Sequence, residues 1–282
     1  MTFTNANSFK AKIKAIAQQK GVPAQQIQQN YLIEQVLRLI AKSPYQHQFI
    51  VKGGYLIGHL IGLEKRTTMD LDVTLKGAPL TEEYLSEVFG NILSQEQDGF
   101  QFELDKLQPI RKSDDYGGYS VRLIATFDML REVVFIDITT GDKITPREIE
   151  YRLLSSFSGD AIHVFTYNLE TILAEKLETI ISRGEGSTRP RDRYDLYTLY
   201  YIRQDDIDYN VLKKALENTS RKRGSQEQLA NWERQVNTIQ SSTYQRDLWA
   251  NYQKNFKYAQ EISFDNSVAI VSEIMSVLSE EK

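Results

Sequence analysis

The chain has 282 residues, of which 41% are hydrophobic and 26% charged, and its formal net charge is −4. These values are typical of a globular protein with about two subdomains, and the net charge argues against binding nucleic acid over the whole surface. Because there is no cysteine and only three histidines, disulfides and thiolate metal sites are excluded, and hard oxygen ligands, as for Mg²⁺ or Mn²⁺, are the metal chemistry that remains.

The first half of the chain is predicted to fold as a mixed α+β domain. Periodic apolar residues predict amphipathic helices over residues 8–20 and 24–42. After them we expect strands at 48–52 and 70–76 around a short apolar helix, a helix over 81–93, and strands at 100–110, 119–127 and 131–139, the first two of which join through a polar loop at 112–118. A βα start followed by a sheet of mostly hairpin-connected strands is typical of the α+β class.

The second half is predicted to be helical almost throughout. Helices are expected at residues 168–183, 191–203, 209–218, 225–246 and 266–280. The change of pattern predicts an N-terminal α/β domain over residues 1–166, including the first helices, and a mainly helical domain over residues 167–282.

Two glycines and two aspartates mark the first candidate site. Gly53 and Gly54 follow a β-rich run, and Asp70 and Asp72 lie in the next predicted strand. Side chains at i and i+2 of a strand point to the same face, so the two carboxylates would repel one another unless a cation lay between them. A glycine turn brings backbone N–H groups close to phosphate, because no Cβ interferes. Each pattern is common by chance, but the two in this order suggest nucleotidyl transfer.

A third acid lies in the clearest apolar β run of the chain, residues 132–139. Asp137 would be costly among Val, Phe and Ile unless it were paired or bound to a metal. An edge position or an arginine partner is the alternative explanation. With Asp70 and Asp72 it is predicted to form a metal-binding carboxylate triad, in which the third acid completes a second metal site or takes the proton from the attacking hydroxyl.

A second candidate cluster lies in the predicted helices of the C-terminal half. Lys176 is in the middle of the helix over 168–183. Arg191, Asp192 and Asp195 have spacings that share one face at the start of the next helix. The alternative explanations are a solvated helix face for Lys176 and a charge cluster that satisfies the helix dipole for the other three residues.

Four motifs in order resemble those of the AbiEii/MenA-type nucleotidyltransferase toxins, which belong to the DNA polymerase β-like superfamily and are usually encoded beside an antitoxin. The motifs are Lys52-Gly-Gly with Arg66-x-Thr-x-Asp-Leu-Asp, Phe135-Ile-Asp-Ile-x-x-Gly-Asp142, Ala174-Glu-Lys, and Arg191-Asp-x-x-Asp-Leu. Each is weak alone, whereas the four in order, over about residues 45–200, are specific. One departure is Tyr55, because members commonly have Thr or Ser directly after the glycines.

The resemblance implies roles for particular residues. The metal- and nucleotide-binding motif matches Gly53, Gly54, Asp70 and Asp72, and the rest of the active site matches Lys176, Asp192 and Asp195. Arg66, Lys176 and Arg191 are predicted to contact the nucleotide. The resemblance also implies transfer of NMP from an NTP to RNA, with tRNA favoured, by a toxin of a toxin–antitoxin or abortive-infection system that a cognate antitoxin neutralises.

Local basic clusters are predicted to contact the RNA. Arg183, Arg189 and Arg193 lie among Gly, Ser and Pro residues, and residues 220–224 form a second cluster. Charge runs are most often solvated loops, but these two are the candidates for phosphate contacts.

Two other functions stay open at this level. A small-molecule nucleotidyltransferase of the antibiotic-modifying type would share the first motif, and a catalytically silent NTP-binding module would keep the fold without the chemistry. Since no apolar run approaches about 18 residues and the first residues lack a signal-peptide pattern, we expect a cytoplasmic protein with no membrane contact.

Overall fold

The computed structural model describes residues 3–110 and 117–280, which fold as two compact units. The first unit comprises Met1–Gly141 and Glu148–Thr166, and the second comprises Asp142–Arg147 and Tyr167–Lys282. The second unit thus takes up a short segment, residues 142–147, that the change of sequence pattern does not reveal. Most of the predicted loop at 112–118 lies outside the described residues.

Within the described residues, the first unit contains four α-helices, two of which begin at a side-chain cap. They are α1 (Ala6–Lys20), α2 (Ala24–Lys42), α3 (Gly53–Ile61) and α4 (Glu82–Ile92). The Asn5 side chain accepts a hydrogen bond from the Ser8 N–H and begins α1, and Thr81 accepts one from the Tyr84 N–H and begins α4. The bounds agree with the predicted helices to within two residues.

A seven-stranded sheet forms the centre of the first unit. Its strands are β1 (Phe49–Lys52), β2 (Asp70–Leu75), β3 (Gln101–Ile110), β4 (Gly118–Phe127), β5 (Leu130–Thr140), β6 (Ile149–Leu154) and β7 (Ala161–Thr166). Their order is β3-β4-β5-β2-β1-β7-β6, with β2/β5 and β1/β7 parallel and the other pairs antiparallel. The predicted α+β class is confirmed.

The pair β6/β7 was not predicted from the sequence. Both strands are short, and their exposed positions carry charged residues, including Glu150 and Arg152. Their inward side chains, Leu153, Ile162 and Val164, are at most 4% exposed. The apolar alternation of these strands is too brief to distinguish them from a loop, and only pairing with β1 makes them part of the sheet.

One face of the central strands forms the hydrophobic core. Leu71 and Val73 of β2 and Ile136 and Ile138 of β5 are all fully buried. Helix α2 contacts β2, β5 and β7 and supplies buried Leu, Ile and Val side chains to the same core. Because side chains alternate along a strand, the residues between these positions must point to the opposite face.

The second unit consists of helices. They are α5 (Leu169–Arg183), α6 (Pro190–Arg203), α7 (Tyr209–Arg223), α8 (Gln226–Ala230), α9 (Trp232–Ser241), α10 (Thr243–Asn255) and α11 (Phe264–Glu280). The single helix predicted over 225–246 is wrong, because the chain breaks at Asn231 and at Ser242, which caps α10 through the Gln245 N–H. Among the helices of residues 3–110 and 117–280, none combines the length and the apolar character that a bilayer crossing requires.

Candidate active site

A row of polar residues crosses the face of the sheet opposite the core. The strand registers pair Lys52 of β1 with Asp72 of β2, Asp72 with Asp137 of β5, and Asp137 with Ser120 of β4. Registered neighbours in a sheet point to the same face. Asp70, two residues before Asp72, points to this face as well. The structure therefore brings the three predicted acids together on one face.

The charges in this row act on one another. Burial raises the pKa of Asp72, and the Asp70 and Asp137 carboxylates raise it further. The Lys52 ammonium and a hydrogen bond from the Gly54 N–H oppose this shift without cancelling it. A cation bound between these carboxylates would offset their mutual repulsion and favour their ionised forms.

The residues present fit a divalent ion that prefers oxygen ligands and takes some of its ligands from a bound substrate. Among the described residues, no three His, Cys, Asp or Glu side chains are arranged to hold a metal on their own. Mg²⁺ is commonly bound through one or two carboxylates together with substrate phosphates, and not by a cage made only of protein. Asp72 with Asp70 or Asp137 provides such a pair, so the donor set suits Mg²⁺ or Mn²⁺ bound with an NTP. That the acids ligate the ion remains a prediction.

The first glycine is required by its contact with Asp72. Gly53 directly follows β1, begins α3 and has φ +69°, a conformation that L side chains rarely adopt. A Cβ at this position would overlap the Asp72 carboxylate and lie 2.7 Å from its Cγ. The turn that was predicted to receive phosphate therefore also receives Asp72, which accepts the Gly54 N–H. Phosphate binding by this turn remains a prediction.

Replacing Gly53 by alanine is expected to abolish transfer, because the added methyl displaces the Asp72 carboxylate. The left-handed conformation alone costs about 1–2 kcal/mol. Gly21→Ala is the matched control, since Gly21 has φ +65° and open space around its Cβ position. Thermal unfolding should show a loss for both variants, whereas nucleotide transfer should fail only for Gly53→Ala. Full transfer by Gly53→Ala would contradict this account of the turn.

Arg66 packs against the glycine turn and the first part of α3. It is 3% exposed, and its guanidinium donates to the Thr67 carbonyl. A Cβ on Gly54 would lie 2.7 Å from Arg66 Nη2, and one on Gly58 would lie 2.6 Å from the Arg66 carbonyl oxygen. The nucleotide contact predicted for Arg66 does not fit this burial. Arg66 instead limits the space at two further positions of α3, at Gly54 through its guanidinium and at Gly58 through its backbone carbonyl.

Tyr55 points away from the polar face of the sheet. It is 1% exposed, its ring lies 4.7 Å from that of His59, and burial raises the pKa of its hydroxyl. Within the described residues the hydroxyl has no hydrogen-bond partner. Because the side chain lies in the core, the Tyr55 hydroxyl does not take the place of the Thr or Ser expected after the glycines.

The second predicted cluster forms a buried ion network within the second unit. Lys176 Nζ lies 2.7 Å from Asp192 Oδ1 and 2.8 Å from Asp195 Oδ2. Burial alone would lower the pKa of Lys176, but the Asp195 and Asp192 carboxylates outweigh it and raise the pKa. Burial works against the charge of Asp192 too, yet Lys176 and Arg189 hold the pKa of Asp192 below its usual range. Lys176 and Asp192 are thus charged at neutral pH, and the two carboxyl groups fix the position of the ammonium.

The arginines near this network divide into two groups. Arg183, Arg189 and Arg191 are exposed. The prediction that Arg191 shares one helix face with Asp192 and Asp195 is therefore wrong, because both aspartates are buried. Arg193 is 2% exposed. The RNA contact predicted for Arg193 therefore does not fit the structure. In the second basic cluster, residues 220–224, Arg223 forms ion pairs with two glutamates of α5.

Arg193 is a packing residue. Its guanidinium lies 5.6 Å from the Trp249 ring and 5.5 Å from the Phe264 ring, and Nη1 donates to Gln245 Oε1 over 2.7 Å. Burial lowers the pKa of Arg193 to about 10, although Asp192 opposes the shift. The aromatic faces and the amide together compensate part of the cost of burying this charge.

Arg193→Ala should destabilise the protein by about 2–4 kcal/mol, because it opens a cavity between the two rings and leaves Gln245 Oε1 without its donor, and these losses outweigh the cost of burying the charge. Arg183→Ala, at an exposed position, should change the free energy of unfolding by less than about 0.5 kcal/mol. Denaturant titration of both variants measures the difference. Equal stability of the two variants would show that the guanidinium contributes nothing to the packing of α6.

Lys52 belongs to the site but was not predicted as a site residue. Its ammonium donates to Thr139 Oγ1 over 2.6 Å and acts on Asp72. The only signal in the sequence was its position directly before the glycines. Lys52 is part of the site because the strand register places it beside Asp72.

Comparison with known proteins gives one match over most of the chain. A family profile described as nucleotidyl transferase AbiEii toxin, type IV toxin–antitoxin system, matches residues 35–269. No curated protein matches the chain significantly.

Three solved structures match much of the chain, all with low identity. JHP933 from Helicobacter pylori is 17% identical, with 91% of this chain and 94% of that chain covered and a TM-score of 0.47. A candidate nucleotidyltransferase from H. pylori is 16% identical, with 93% and 99% covered and a TM-score of 0.49. An antigenic nucleotidyltransferase-like protein from Paracoccidioides brasiliensis is 15% identical, with 71% and 92% covered and a TM-score of 0.38.

Proposed function

Because the chain belongs to the AbiEii family of nucleotidyl transferase toxins of type IV toxin–antitoxin systems, we propose that it transfers NMP from an NTP to an RNA acceptor, with tRNA the favoured class. The observation that carries the proposal is the row of Lys52, Asp72 and Asp137 on one sheet face, beside the Gly53 turn. A carboxylate pair next to a glycine turn suits the phosphates and the cation of an NTP.

The transfer breaks a phosphoanhydride bond of the NTP and forms a phosphodiester bond to the acceptor. The acceptor hydroxyl oxygen forms a bond to the α-phosphorus, the bond from this phosphorus to the bridging oxygen breaks, and pyrophosphate leaves. Mg²⁺ or Mn²⁺, when bound, supplies positive charge at the phosphate oxygens. Asp72 and Asp70 would hold the ion, and Asp137, in register with Asp72, is the candidate to complete the ligand set or to accept the hydroxyl proton.

The charged network of the second unit has a separate role in the proposal. Lys176 neutralises charge on the phosphates, since an ammonium binds phosphate as a point charge. Asp192 and Asp195 hold its Nζ by two contacts of 2.7 and 2.8 Å. An ammonium has three donors, so one remains beyond these two contacts. The exposed Arg191 is the candidate for a further nucleotide contact, and Arg183 and Arg189 for contacts to RNA phosphates.

The family supports a proposal for the biological setting. We propose a toxin that acts in the cytoplasm, in abortive infection or phage defence, with its cognate antitoxin acting on the gene or on the protein. A small-molecule nucleotidyltransferase and a silent NTP-binding module are the alternatives that the assay must separate.

Incubation with each α-labelled NTP tests the proposal. The protein is given Mg²⁺ and total RNA, then purified tRNA, and then small hydroxyl acceptors of the antibiotic type. Label in RNA supports the proposal, whereas label only in small acceptors would assign the alternative enzyme class. Binding of NTP with transfer to no acceptor would assign the silent module.

A further inference from the structure

An exposed aromatic ring lies on the same sheet face as the carboxylates. Phe135 is 42% exposed, although it lies in the middle of the central strand β5. The register pairs it with Asp70 on one side and with Arg122 of β4 on the other. Asp137, two residues later, points to the same face about 6.6 Å along the strand. Phe135 begins the motif that contains Asp137, but the metal-binding role predicted for that motif does not require an apolar ring between a carboxylate and a guanidinium.

Basic side chains continue the row beyond Phe135. Arg122 is paired in register with Lys106 of β3, which is exposed. The side chain of Arg122 is 44% exposed, and its Nε lies 3.3 Å from Asp105 Oδ2. An exposed pair of this kind contributes little to stability, so a phosphate oxygen can take the place of Asp105. We call Phe135 of β5, Arg122 of β4 and the adjacent Lys106 of β3 the β4/β5 surface.

The sheet order indicates which substrate this surface faces. The Gly53 turn lies on the β1 side of Asp72, and the β4/β5 surface lies on the other side, with Phe135 on the strand of Asp137 and the two basic residues beyond that strand. In an in-line displacement the attacking and the leaving oxygens are on opposite sides of the phosphorus. If the triphosphate occupies the side of the glycine turn, the attacking hydroxyl comes from the side of β5 and β4.

We propose that the β4/β5 surface binds the acceptor, as the end of a single-stranded RNA whose base stacks on the Phe135 ring and whose backbone phosphates pair with Arg122 and Lys106. This inference rests on the proposed function and names the acceptor subsite of that same site. Stacking on an aromatic ring with basic residues alongside is how proteins hold single-stranded nucleic acid without reading its sequence. Phe135 is thus a substrate-binding residue that determines acceptor class.

The binding test needs no metal and no turnover. A fluorescent single-stranded RNA oligonucleotide is titrated with the protein in EDTA, and anisotropy gives the dissociation constant. Phe135→Leu, which keeps an apolar side chain but loses the ring, should weaken binding about tenfold or more, and Phe135→Tyr should bind as the wild type does. Arg122→Gln should weaken binding and reduce the slope of log affinity against log salt by about one.

Two matched controls lie on the opposite edge of the same sheet. Arg152 and Ile149 are exposed on β6, so Arg152→Gln and Ile149→Ala remove the same kinds of group far from the site. Both should bind RNA with unchanged affinity, and thermal unfolding checks that every variant is folded. Equal affinities for Phe135→Leu, Arg122→Gln and the controls would overturn the inference.

Transfer kinetics separate this inference from the proposed function. Phe135→Leu should raise KM for RNA and leave KM for the NTP unchanged. Loss of NTP affinity with unchanged RNA affinity would put the ring under the base of the NTP and overturn the acceptor assignment. If the wild-type protein labels RNA and Phe135→Leu does so equally well, only the subsite is wrong. If the wild-type protein labels no RNA, the proposed function itself fails.

Discussion

Asp72→Asn is expected to abolish nucleotide transfer while the protein stays folded. The substitution removes one carboxylate charge from the row with Asp70 and Asp137, at the point where cation binding and transition-state charge stabilisation are proposed. The loss should be on the order of a thousandfold or more, since such sites contribute several kcal/mol. Glu103→Gln, an exposed acid of β3, is the control and should keep full activity. Transfer by Asp72→Asn at the wild-type rate would contradict the assignment.

Stability should change in the opposite direction to activity. Burial and the neighbouring carboxylates raise the pKa of Asp72, so its ionised form destabilises the metal-free fold at neutral pH. Asp72→Asn should therefore melt higher than the wild type at pH 7 in EDTA. The difference should shrink as the pH falls below the raised pKa, and vanish below the ordinary value of about 4. A lower melting temperature at pH 7 would show that Asp72 is held by favourable contacts.

Lys176→Ala is expected to destabilise the second unit strongly. It removes the ammonium from between Asp192 and Asp195, which are 3% and 0% exposed, and breaking a buried ion network costs about 3–5 kcal/mol. Transfer should be lost as well. Lys176→Arg should rescue poorly, because the planar fork of a guanidinium does not fit the two contacts of an ammonium.

A triple variant separates the stabilising role of Lys176 from its catalytic role. Lys176→Met combined with Asp192→Asn and Asp195→Asn removes all three ionisable groups, so stability should return to near the wild-type value. Transfer should stay lost if the ammonium acts on phosphate. Recovery of transfer by the triple variant would reduce Lys176 to a structural residue.

The same network predicts a pH range of stability. The pKa of Asp192 is lowered, so its contribution is present above the ordinary value of about 4 and is lost as the pH falls through the lowered value. The pKa of Lys176 is raised, so its contribution is present below the ordinary value of about 10.4 and is lost as the pH rises through the raised value. The destabilisation by Lys176→Ala should accordingly be largest between these limits.

Much of the first unit follows from local pattern. Alternation along β2 and β5 separates Leu71 and Ile136, which are buried, from Asp72 and Asp137 on the other face, and caps such as Thr81 fix helix ends. Period and capping are encoded within a few residues of chain, so the sequence alone is sufficient to predict them. The α+β class follows from the same signals.

The remaining features depend on partners distant in sequence. Lys52 enters the site because β1 pairs with β2, and Phe135 enters it because β5 pairs with β2 in one particular register. Arg193 resembles the exposed arginines beside it in sequence, and only the packing of Trp249 and Phe264 buries it. Nothing in the composition of residues 183–193 distinguishes a packing arginine from one that is available for RNA.

The most direct test of the central claim is transfer of label from α-labelled NTP to RNA, measured for the wild type and for Asp72→Asn with Mg²⁺ and with EDTA. The account predicts label in RNA and stoichiometric pyrophosphate from the wild type with Mg²⁺, and neither product from the wild type in EDTA or from Asp72→Asn under either condition. Label transferred by Asp72→Asn as efficiently as by the wild type, or by the wild type in EDTA, would contradict it.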